Sequence, residues 1–172
     1  MTQKRDPERS YRYRRFIREL LNEGFHVQPR VLTVCCPGRY KLSELLPPGV
    51  LVDCPITDER FPIRKHAPVT RVLEMVHLDH PTTSREVRAE FVHRGLEWPT
   101  IEDALCILLT YPEEPQQPTV FLWYPTVRVG NYRCVLVIRR DADGVLCIEL
   151  ERAGREWPAI CVFPGVVRGV RQ

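Results

Sequence analysis

The sequence predicts an α+β domain, with an antiparallel sheet of about five to seven strands packed by a two-helix unit over residues 83–110. An amphipathic N-terminal helix is expected beside it. Three observations carry this reading. Two helix starts stand close together at Thr83 and Thr100, the helical stretch stops abruptly at Tyr111-Pro112, and β-rich segments then follow across the turn Asp141-Ala142-Asp143-Gly144. Each local signal agrees with the next, as a foldable sequence requires.

Residues 1–6 read as a tail. Asp6-Pro7 makes a helix start, with Asp as N-cap and Pro at the first helical position. Tyr13, Phe16, Ile17, Leu20 and Leu21 recur at helical spacing as one apolar stripe, and Gly24 supplies the stop. Val31–Cys36 reads as a strand ended by Pro37-Gly38. A helical turn is expected around Ser43–Leu46, a second strand over Val50–Cys54, and a proline-rich loop over 55–68, which offers a sub-boundary. Thr70–Leu78 is β-rich. Thr83-Ser84-Arg85-Glu86 has the form of a capping box that opens a helix closed by Gly95. Thr100 caps a second helix, apolar nearly all round from Ile101 to Leu109, which predicts the buried centre of the domain.

Thr119–Trp123 is expected to form a strand, Arg133–Arg139 and Val145–Glu151 a hairpin, and Ala159–Phe163 the last strand, ended by Pro164-Gly165. One domain over 7–163 follows, with a C-terminal tail over 164–172.

Composition narrows the function classes. The 172-residue chain carries a net charge of +3, too little to dictate a partner. Its arginine excess over lysine is explained by coding bias and does not by itself signal phosphate recognition. Seven dispersed cysteines without a C-x-x-C indicate neither a zinc knuckle nor a redox pair, and suit a reducing cytoplasm. No signal-peptide core and no membrane-spanning run is evident.

Residues 83–163 also carry a resemblance. The pieces are Arg94-Gly95-Leu96, the second helix running into Tyr111-Pro112, Gln116-Gln117-Pro118, Arg139–Gly144, and Trp157-Pro158 before Cys161-Val162-Phe163. Together they resemble a function-unknown protein family of candidate-phylum bacteria. The resemblance implies a fold and carries over no catalytic residue.

Several constellations carry side chains capable of chemistry. His77, Asp79 and His80 offer imidazole and carboxylate donors for zinc or iron, with His66, His93 or Cys54 as further ligands. Their spacing does not suit a helical pair, and a polar turn explains them as well. Cys36, with Arg39 nearby, offers a thiol nucleophile, although adjacent Cys35 and Cys36 would face opposite ways and buried cysteine is the commoner outcome. Ser84 lies in no nucleophile elbow and is better spent at a helix start. No phosphate loop occurs. Phe121, Trp123, Tyr124, Trp98 and Trp157 would make a protein-binding patch if exposed, and core otherwise. The second helix lacks the polar face that groove reading needs.

The leading expectation is a non-enzymatic, cytoplasmic binding or interaction module with a protein partner and no cofactor. The alternative is nucleic-acid or ribosome association through Arg5, Arg9, Arg12, Arg15 and Tyr11, which could clamp phosphates and stack bases. A small metal- or thiol-dependent hydrolase is the third expectation.

Overall fold

A computed structural model describes residues 30–38, 41–52, 57–63, 65–123 and 127–168. The expected N-terminal helix, and with it Arg5, Arg9, Tyr11, Arg12 and Arg15, lies outside the described residues. The elements run β1 (Arg30–Cys36), a short 3-10 turn (Leu42–Glu44), β2 (Leu51–Val52), β3 (Val69–His77), β4 (Thr82–Thr83), α1 (Ser84–Arg94), β5 (Leu96–Glu97) and α2 (Ile101–Thr110). They continue with β6 (Thr119–Phe121), β7 (Val127–Val129), β8 (Tyr132–Arg140), β9 (Leu146–Arg152), β10 (Glu156–Trp157) and β11 (Val162–Val167).

Both helix starts form as their side chains dictate. Thr83 and Glu86 close one capping box, and Thr100 and Asp103 close the other. Gly95 ends α1 at a φ of 67°, a left-handed conformation that glycine adopts without a Cβ penalty. The hairpin also forms. Asp141 Oδ1 accepts the amides of Asp143 and Val145, both at 3.0 Å, and this turn sets β8 antiparallel to β9.

The sheet itself corrects the expectation. Among the described residues it has nine strands, with the main order β1-β3-β11-β6-β8-β9-β2, while β5 joins β11 and β7 joins β8. It is mixed and not purely antiparallel, because β11 runs parallel to β6 and β2 parallel to β9. A separate two-stranded ladder pairs β10 with β4.

The helices do not cover the sheet as a pair. The apolar face of α2 joins Leu32, Leu73, Phe121, Leu136 and Ile148 in one core. Val87 and Phe91 of α1 join Val76, Val120, Val137, Trp157 and Phe163 in a second core. Successive residues of a strand point to opposite faces, so β8 feeds both cores: Leu136 and Ile138 enter one, Val135 and Val137 the other. The two-residue strand β5 lets the chain pass from one face to the other.

The last strand also differs from expectation, continuing through Pro164-Gly165 to Val167. Pro164 lacks an N–H, but β6 pairs with β11 at Val162 and β5 begins at Val166, so Pro164 sits in the gap between these two partners. At Gly165 a Cβ would stand 2.7 Å from Leu96 Cδ1 and 3.2 Å from Phe91 Cζ, so glycine lets this strand pass close beneath α1.

Candidate functional site

The residues singled out for metal or thiol chemistry are engaged separately. His77 Nε2 donates to the Ala159 carbonyl at 2.6 Å, while His80 Nδ1 lies 3.1 Å from Asp79 Oδ1. Among the described residues no three His, Cys, Asp or Glu side chains converge on a point that could hold a metal ion.

Cys35 is exposed and Cys36 buried, as alternation requires. The Cys36 thiol is 3.3 Å from Asp103 Oδ1. A hydrogen bond with Cys106, burial and the Asp103 carboxylate together raise its pKa well above the ordinary value, so the thiol keeps its proton. Burial likewise pushes the Cys161 thiol up to about 12. Phe121, Trp123 and Trp157 are buried, while Trp98 packs in part against Phe91 with ring centroids 5.3 Å apart.

A polar cluster stands at the start of α2. Buried Glu102 accepts the Gly38 amide at 2.8 Å through Oε1 and His66 Nε2 at 2.8 Å through Oε2. The His66 Nδ1 faces the Ala67 carbonyl at 2.6 Å. Both ring nitrogens therefore face acceptors, and only the imidazolium satisfies both. The hydrogen bond to Ala67 and then that to Glu102 raise its pKa above the ordinary value. This arrangement ties the 57–68 segment to α2 and leaves its polar groups already partnered.

The arginine groove is different. Five arginines, Arg85, Arg88, Arg133, Arg152 and Arg155, line one open groove of about 650 Å³, and no carboxylate lines it. Arg85 and Arg88 sit one turn apart on α1, Arg133 is the second residue of β8, Arg152 ends β9, and Arg155 follows the Gly154 turn.

Three local contacts bring these elements together. The Ser84 hydroxyl donates to the Ala153 carbonyl at 2.5 Å, and Trp157 Nε1 donates to Ser84 Oγ at 2.9 Å. The third is the β10–β4 ladder, which pairs Glu156 with Thr83 and Trp157 with Thr82. Ser84 thus fastens the N-terminus of α1 to the end of the hairpin.

The nearest helix acids are spent elsewhere. Glu86 turns back onto Thr83, whose backbone amide holds its carboxyl below the usual carboxylate range. Glu90 pairs with Arg94 at 2.6 Å. Arg155 pairs with Glu151 at 3.1 Å, and Arg88 lies over the Trp98 ring, 5.8 Å from its centroid. Among the described residues Arg85, Arg88, Arg133 and Arg152 have no acidic partner within ion-pair distance. Like charges gathered this way repel, and an anion entering the groove relieves that repulsion.

Sequence reading missed these arginines. Their signals were the i, i+3 spacing of Arg85 and Arg88 and the register of the hairpin, in which the Ala153 amide donates to the Arg133 carbonyl at 2.9 Å. Nothing in the spacing linked the helix to the hairpin.

Among the described residues, no helix is long and apolar enough to cross a membrane. Comparison with known protein families, with curated proteins and with solved structures finds no match to this chain.

Proposed function

We propose that this chain is a non-enzymatic binding module of the cytoplasm whose ligand is a polyanion held in the arginine groove. The observation that carries the reading is the convergence of Arg85, Arg88, Arg133 and Arg152 on one groove with no acidic partner among the described residues. Arg94, by contrast, stands between the carboxylates of Glu74 and Glu90. The burial of Cys36, Cys106 and Cys161 as thiols fits a reducing compartment. The resemblance of residues 83–163 to the candidate-phylum family is part of the same reading and adds no residue to it.

Calorimetric titration with inorganic polyphosphate at low and at physiological salt tests this. Saturable binding that weakens with salt is expected, together with its loss when all four arginines are changed to glutamine. An unaffected quadruple variant, or no binding at low salt, overturns the proposal. Nucleic-acid association through Arg5, Arg9, Arg12, Arg15 and Tyr11 is a separate proposal. Neutralising Arg9, Arg12 and Arg15 alone distinguishes it from the groove.

A further inference from the structure

We infer that the polyanion is a single-stranded nucleic acid, with one base stacked on Tyr132 and the flanking phosphates on the groove arginines. This rests on the groove reading above and names the ligand of that same site. Tyr132 lines the groove together with the five arginines and is 49% exposed, a large aromatic surface left in water. The Arg152 guanidinium lies over one face of its ring, 3.5 Å from the centroid. That contact holds the ring from one face, and a base would stack on the other.

A bare polyphosphate has no use for an aromatic platform. A duplex has its bases already stacked on one another and turned inward. A single strand has both an unsatisfied π-face and a phosphate on either side of each base, which is the pairing of groups this groove offers. Exposed Asn131, next in the lining, carries both an amide donor and a carbonyl acceptor suited to a base edge. The second face of the stack comes from the ligand itself, so any base fits and little sequence preference is expected.

The test is fluorescence anisotropy with a labelled single-stranded oligonucleotide, its duplex, an abasic strand of equal charge, and polyphosphate as competitor. The variants are Tyr132→Ala and Tyr132→Phe. The expected result is preference for the single strand over the duplex and the abasic strand, and a loss of about tenfold to a hundredfold in Tyr132→Ala. Tyr132→Phe should bind as wild type, and the salt slope should be the same in all three proteins, since the arginines are intact. Equal affinity for all four ligands, with Tyr132→Ala unchanged, overturns the stacking inference and leaves the groove reading standing. No binding of any ligand, polyphosphate included, overturns both. Tyr132 is exposed at the start of β8, and circular dichroism checks that each variant is folded.

Discussion

Replacing Glu102 with alanine measures how firmly the start of α2 holds the segment around His66. Glu102 accepts two hydrogen bonds of 2.8 Å, one from Gly38 and one from His66. The Gly38 amide is buried, so truncation strands its N–H at a cost of about 1–3 kcal/mol. The His66 side chain is 33% exposed and regains much of its loss by hydration, leaving about 0.5–1 kcal/mol. Removing a carboxylate from a first helical turn costs about 0.3–1 kcal/mol. Alanine's better helix propensity returns about 0.4 kcal/mol. The net expectation is about 2–4 kcal/mol of lost stability, or a Tm lower by about 5–15 °C for a chain of this size.

The pH dependence gives the argument a sign. His66 has its pKa raised above 6.5 in the folded protein, so its contribution is fully present below 6.5 and is lost as pH rises through the folded value. The stability gap between wild type and Glu102→Ala should therefore narrow from mildly acidic to alkaline pH. Thermal unfolding followed by circular dichroism across that range is the assay. A midpoint within about 1 °C of wild type, or a gap that does not change with pH, refutes the reasoning.

Other outcomes follow from the same contacts. Gly38→Ala should cost about 2–4 kcal/mol in urea unfolding, because at a φ of 67° an added Cβ would stand 2.4 Å from His66 Nδ1 and 2.5 Å from its carbonyl oxygen. Phe91→Ala removes a fully buried ring from the α1-side core and should cost about 3–5 kcal/mol by the same measurement. In a Cys54→Ser background, iodoacetamide followed by mass spectrometry should modify Cys35 first, since the other described cysteines are buried and Cys36 and Cys161 hold their protons. Rapid native labelling of Cys36 would contradict the assignment of its thiol to Asp103.

Much of the fold was legible because its signals are short-range. The threonine caps, Gly95 and the Asp141–Gly144 turn each act through atoms within four residues, and each forms as read. The apolar circumference of α2 likewise announced its burial. The side of the sheet each helix would take was not legible, because it depends on β5, two residues long and paired with distant β11. Pro164-Gly165 was read as a stop because proline has no N–H to donate to a ladder, and the gap left between β5 and β6 on one side of β11 exists only in three dimensions. The groove was illegible for a related reason. Its arginines come from three segments about twenty to fifty residues apart, and their company is decided by the Ser84–Trp157 fastening.

Because neighbouring side chains of β8 serve opposite cores, sliding this strand by one residue would turn both interiors inside out at once. Length changes along β8 are therefore intolerable, and any addition or loss of residues must fall at the bends that bound it, Gly130-Asn131 and Asp141–Gly144. The distance between those bends, and hence where Tyr132 and Arg133 stand relative to α1, is held constant by packing that lies beneath the groove.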